Sequence, residues 1–160
     1  MKKITLLCLS VFILVIVNGQ TKITKAGIVG KWMISSAEMP TIFYYNVDKD
    51  SLALGDAIKA QVQGDQMAGV LAMMKPQLEP FKKVSFLFNA DGSAELNDAT
   101  QPTPRPATYT IDEENSTITT TEPEGGKQET LKGEMQKDNL LRLTLKSPQG
   151  DIFLVLKKVK

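Results

Sequence analysis

Few side chains in this sequence are of a type and spacing that could do chemistry. Glu113 and Glu114 stand side by side, and Asp48, Asp50 and Asp56 fall close together. Paired carboxylates act as acid and base in glycoside hydrolysis only when they face each other across a cleft. Adjacent residues in a hairpin turn point into water instead, and that is how Glu113 and Glu114 read. Carboxylates are also what calcium prefers, but the three aspartates do not follow EF-hand spacing. The chain has no His, and its one Cys is Cys8. This removes Ser-His-Asp and Cys-His catalysis, His as a general base, and Cys or His zinc sites. No catalytic residue, no metal ligand and no cofactor is expected, and the chain reads as a non-enzyme. Asn115-Ser116-Thr117 is an N-glycosylation sequon, which matters only in a eukaryotic secretory pathway.

The N-terminus indicates a compartment. Lys2 and Lys3 precede an apolar run from Ile4 to Val17, and Asn18 and Gly19 end it. A charged start, an apolar core and a small residue at the end form a signal-peptide pattern. The run is shorter than the ~20 residues that span a bilayer, so residues 1–19 read as a cleaved signal and not as a lasting anchor. Cys8 lies inside the run, not after it, which argues against lipidation. The expected product is an exported protein, periplasmic or secreted, with residues 20–160 as one domain. Charge is nearly balanced, with 19 Lys and Arg against 18 Asp and Glu. The cations are scattered, so no nucleic-acid surface is expected. Lys157, Lys158 and Lys160 cluster at the end of the chain and read as a solvated tail.

Alternation of apolar and polar residues sets the elements. Gly30 to Ala37 reads as a strand, interrupted by Pro40, and Ile42 to Val47 as a short strand or aromatic connector. Residues 51–76 change to helical spacing. Ser51 would cap one helix with Leu54, Ile58 and Val62 on its face. Asp65 would cap a second, with Met67, Val70, Leu71 and Met74 at i, i+3, i+4, i+7 and Pro76 as its stop. From Lys82 onward the pattern is a β-meander. Val84, Phe86 and Phe88 alternate before the turn Asn89-Ala90-Asp91-Gly92. Pro102, Pro104 and Pro106 mark an extended loop. Leu141, Leu143 and Leu145 share a face, and Ile152 to Leu156 is apolar on both faces, as expected of a central or covered strand. Short strands at hairpin spacing predict a sandwich or barrel.

Gly30-Lys31-Trp32 on the first strand, a helical insertion, and Val84-Ser85-Phe86-Leu87-Phe88-Asn89-Ala90-Asp91-Gly92-Ser93 occur in an order that resembles the lipocalin superfamily. The closest pattern is that of the lipocalin-like domains of exported bacterial proteins, and it covers about residues 26–160. The resemblance implies a mostly β fold: an antiparallel up-and-down barrel of about eight strands, with a two-helix insertion after the first strand region. It also implies that Trp32 plugs the closed end. Typical lipocalins carry a Thr-Asp-Tyr triplet, which this chain lacks. They also carry an Arg near the end that packs over the Trp, for which Arg142 and Lys157 are the late cations nearest in sequence.

The expected function is binding of a small apolar or amphipathic molecule inside the barrel. Phe86, Phe88, Tyr109, Ile111, Leu143 and Leu154 are the candidate lining, with Trp32 at the closed end. Met67, Leu71 and Met74 are candidates for an adaptable lid, although an amphipathic helix more usually covers core. Tyr44 and Tyr45 could hydrogen-bond a ligand headgroup near the mouth. The alternative is a barrel filled by its own side chains that acts as a non-catalytic envelope or surface interaction module. The residues name no particular protein partner.

Overall fold

The computed structural model of the protein describes residues 21–98 and 101–159. The expected signal segment and Lys160 lie outside the described residues.

Ten strands form one antiparallel sheet. They are β1 (Gly30–Met39), β2 (Phe43–Asn46), β3 (Ser51–Leu54), β4 (Ser85–Phe88), β5 (Ser93–Asn97), β6 (Arg105–Asp112), β7 (Thr117–Thr121), β8 (Gln128–Met135), β9 (Leu140–Leu145) and β10 (Ile152–Lys158). From β4 to β10 each strand pairs with the next in sequence, and β10 pairs back onto β1 while β1 pairs with β4. Eight strands therefore close an up-and-down barrel, as the resemblance implies. Closure removes the open edges that invite pairing with other chains.

β1 carries a second role because it is longer than its neighbour. Gly30 to Met33 pair with β4, and Ser36 to Met39 pair with β2 on the same side. A register shift between Ile34 and Ser36 bends the strand where it changes partner, as a bulge does. The β2–β3 hairpin is thus a flap built on the end of β1. Phe43 and Tyr45 share its inner face with Ala37, Met39, Leu52 and Leu54, and Tyr44 points outward, 43% exposed.

Helices α2 (Asp56–Gln61) and α3 (Gln66–Leu78) follow the flap, and a short 3-10 turn (Glu79–Lys83) leads into β4. Two expectations fail here. Ser51 does not cap a helix, because Ser51–Leu54 is strand β3. Leu54 is placed opposite Phe43 and Leu52 opposite Tyr45, and this cross-strand pairing outweighs a helical spacing of only three apolar residues. Pro76 does not stop α3, which runs on to Leu78. Proline removes only its own N–H bond to Ala72, and its ring is exposed, so the helix survives for its last turn. The Met67, Val70, Leu71, Met74 stripe is half-buried as its spacing predicts, with Leu78 buried below it and Met73 on the outer side, 67% exposed. α3 packs on β3.

One carboxylate ties this insertion to the flap. Asp50, in the β2–β3 turn, accepts from Lys75 Nζ at 2.7 Å, from Lys82 Nζ at 2.8 Å and from the buried Tyr45 hydroxyl at 3.0 Å. Hydrogen bonds from Lys75, Lys82 and Tyr45 hold its carboxyl well below the usual range. The bonds to Asp50 and Glu79 push the Lys82 ammonium up. Burial, then the bond to Asp50, raises the Tyr45 hydroxyl.

The core is the barrel interior. Trp32, Ile34, Ile118, Leu141, Leu143 and Leu156 lie within it, almost wholly shielded from water, together with Ile23 and Ile28 from the segment before β1. That segment includes α1 (Lys25–Ile28), capped by the Thr24 hydroxyl. It crosses one end of the barrel. Thr21 bridges to Met135, Lys25 N–H donates to Glu113 at 2.9 Å, and Ile23 fills the space left by the missing side chain of Gly133. β10 is apolar on both faces for two reasons: Leu154 and Leu156 face the core, and Phe153 on the outside lies under the Arg142 guanidinium, 4.1 Å from the ring centroid.

A carboxylate whose acidity rises on folding stabilises the fold above its unfolded value, and the contribution is lost as pH falls. Asp50 should therefore hold the insertion firmly at neutral pH and release it progressively as pH drops past 3.8. Amide hydrogen exchange should show α3 losing protection as pH falls from about 5 to about 2, before the barrel strands do, and Asp50→Asn should show that loss already at pH 6.

Candidate functional site

The two ends of the barrel differ. At the α1 end, Trp32 donates its indole N–H to the Ile28 carbonyl at 2.7 Å and is fully buried. The Lys158 ammonium sits over its ring, 5.3 Å from the centroid, and donates to the Gly27 carbonyl at 3.2 Å. Gly30 makes this possible. A Cβ there would stand 2.6 Å from Lys158 Cε, and the backbone φ of +130° disfavours any other residue. The Gly and the Trp of the Gly-x-Trp triplet thus serve one arrangement, a sealed end.

The cation over Trp32 is neither of the two expected. Arg142 faces outward onto Phe153 and Glu38. Lys157 also points outward and pairs with Asp48, which takes a second bond from Ser35 Oγ at 2.6 Å. Burial pushes the Asp48 carboxyl up, but the bonds from Lys157 and Ser35 outweigh it and hold the group below its usual value. Lys158 is the residue in register, directly opposite Trp32. Lys157 and Lys158 therefore do not form a solvated tail. The aspartates expected near a helix start are likewise occupied: Asp48 and Asp50 by lysines, and Asp56 by Lys59 at 3.7 Å. Glu113 and Glu114 lie exposed in the β6–β7 turn. Among the described residues no group of three or more Asp, Glu, His or Cys is placed to hold a metal ion, and no helix is long and apolar enough to cross a membrane.

At the opposite end the interior is not filled. A cavity of about 200 Å³ lies between β4 and β9, walled by Phe86, Phe88, Ala94, Leu96, Ala107, Ile118, Leu131 and Leu143. Its border is polar: Glu95, Arg105, Thr120, Glu122, Lys127 and Glu129, with Pro106 beside them. Alternation explains how charges come to face a barrel interior. Glu129 shares its face with Leu131, and Thr120, opposite Glu129, shares its face with Ile118. Arg105 shares its face with Ala107 and lies opposite Leu96. Arg105 reaches Asp98 at 3.2 Å and Glu122 at 3.8 Å, while its Nε is buried with no hydrogen-bond partner.

The expected lining residues separate into three groups. Phe86, Phe88 and Leu143 border the cavity. Tyr109, Ile111, Leu154 and Trp32 face the interior but are packed as core: Tyr109 stands edge-on to Phe88 with its hydroxyl on the Asn89 carbonyl at 2.7 Å, Ile111 lies opposite Ile118, and Leu154 opposite Leu143. Tyr44, Tyr45, Met67, Leu71 and Met74 belong to the flap and its helix and do not border the cavity. The Met stripe is therefore the inner face of a packed helix and does not form a lid over the cavity. Residues not anticipated are Arg105, Thr120, Glu122, Lys127 and Glu129. Period two carried back from Leu131 would have found Glu129, but the prolines around Arg105 hid a strand start.

A more open depression of about 610 Å³ lies at the sealed end beside Trp32, Asp138 and Asn139. Its cations Lys157 and Lys158 are already engaged by Asp48 and by Trp32 with Gly27, so the less open cavity with apolar walls is the better candidate. Comparisons with protein-family models, with curated proteins and with solved structures each find no match to this chain.

Filling the cavity tests whether it is real. Ala107→Leu places a branched side chain into it, so stability to urea should hold or rise by about 0.5–2 kcal/mol. In a fully packed site the same change would destabilise by about 1–3 kcal/mol.

Proposed function

We propose that this chain is an exported, non-catalytic, lipocalin-like protein that holds one small apolar or amphipathic molecule at the open end of its barrel. The observation that carries this reading is the contrast between the two ends. One end is sealed by α1, Trp32 and Lys158, and the other keeps an apolar cup beneath a ring of charged side chains. Binding sites of this kind combine apolar walls with a few polar groups that fix orientation. A volume of about 200 Å³ is below the ~300–1,000 Å³ of drug-sized pockets. It exceeds the ~150 Å³ that accommodates benzene. The ligand body is therefore on the scale of a single ring or a short branched chain.

Lipocalin kinship rests on the Gly30-Lys31-Trp32 strand, the eight-strand closure and a late cation over the Trp. Export rests on the sequence of residues 1–19. The lack of His, and the engagement of the aspartates by lysines, support a binding role over a catalytic one.

Native mass spectrometry of the protein purified from its own host, followed by organic extraction, tests the reading. A retained small molecule at one per chain is expected. A chain that comes out bare, and stays bare when titrated with ring-sized apolar compounds, would favour a barrel that works through its outer surface.

A further inference from the structure

We propose that the molecule in the cavity carries a zwitterionic head, as a free apolar α-amino acid does; this rests on the reading of the cavity as a ligand site. Three groups at the mouth are available to a head: one buried donor, and two exposed charges that water solvates in the free chain. The Nε–H of Arg105 is buried without an acceptor, although the rest of its guanidinium serves Asp98 and Glu122. Among the described residues no ion pair or side-chain hydrogen bond engages the Glu129 carboxylate or the Lys127 ammonium. A buried donor left unpaired costs free energy, and a ligand acceptor recovers that cost as an ordered water does.

Charge decides between heads. A lone carboxylate would satisfy Arg105 Nε and Lys127 but would lie against Glu122 and Glu129. A lone ammonium would satisfy Glu129 but would face Lys127 and leave Arg105 Nε without an acceptor. A neutral head would gain nothing from the exposed Lys127 and Glu129 charges. A carboxylate and an ammonium on one carbon use all three groups. The carboxylate sits on Arg105 Nε and Lys127, the ammonium on Glu129, and a charged acceptor makes each hydrogen bond stronger than a neutral one would. The apolar side chain then descends past Leu131 and Phe86 into a space sized for one ring.

Isothermal titration calorimetry on the full chain with L-phenylalanine, hydrocinnamate, phenethylamine and ethylbenzene tests this. These share one ring and differ in head: zwitterion, anion, cation and none. L-phenylalanine should bind at least about tenfold more tightly than any of the others, and Glu129→Gln should weaken it about tenfold while leaving hydrocinnamate unchanged or improved. Glu129 is exposed, so this substitution leaves the fold intact. Equal binding of all four compounds would overturn the zwitterion and keep the cavity. Tightest binding by hydrocinnamate, phenethylamine or ethylbenzene would overturn it in favour of that head. No binding by any of the four would overturn the cavity reading as well.

Discussion

The pairing of the last strand with the first is the constraint on which the rest of this structure depends. β10 lies along β1 from Lys158 opposite Trp32 to Phe153 opposite Glu38. Without that ladder the sheet would stay open from β10 round to β1, with β10 as a free edge and one uncovered apolar face. With it, the alternating residues of eight strands enclose a common interior. Closure joins residues at opposite ends of the chain, so loop entropy opposes it. The opposing gain is concentrated at the join itself. Trp32, Ile34, Leu154 and Leu156 are all buried there, and Lys158 binds both the Trp32 ring and the Gly27 carbonyl. With no cysteine beyond residue 8, the described fold relies on packing and hydrogen bonds with no disulfide to restrain the unfolded chain.

This join also makes the barrel asymmetric. At the end where α1 crosses, Trp32, Ile23, Ile28 and Leu141 are fully buried. Toward the other end β1 leaves β4 and pairs with the β2–β3 flap instead. α3 packs on the flap and Asp50 clamps it there, which occupies the insertion beside the barrel. The interior beneath the β5–β6 and β7–β8 loops is left with small residues, Ala94 and Ala107, where bulkier ones would have filled it. The cavity is thus a consequence of how the strands share out their partners, and the charges at its mouth follow from continuing the inward faces of β6, β7 and β8 past the apolar layer.

Much of the architecture was legible in the sequence, for local reasons. The Val84 to Ser93 hairpin combines strict alternation with a turn whose glycine adopts positive φ, +93° at Gly92. Leu141, Leu143 and Leu154 announce their inward faces by period two. The doubly apolar run Ile152 to Leu156 marks a strand flanked on both sides. What was not legible depends on distant partners. Ser51–Leu54 has a helical spacing of apolar residues and becomes a strand only because Phe43 and Tyr45 lie opposite. The α3 stripe was correctly read as an apolar face, but the sequence does not say what that face meets. The cation over Trp32 was sought at Arg142 or Lys157, whereas the inward register of Leu154 and Leu156 leads to Lys158. The charged mouth was missed because a polar residue near a strand end is ordinarily read as solvent-facing, and only closure turns those positions inward.

The most direct test of this account is methyl NMR of the protein titrated with a ring-sized apolar compound, with the methyl groups of Ile118, Leu131, Leu143 and Ala107 as reporters. Shifts confined to those groups, with Ile23, Ile28 and Leu141 at the sealed end unmoved, are the predicted result. Shifts centred on Met67, Leu71 and Met74, or no shifts at any concentration, would contradict it.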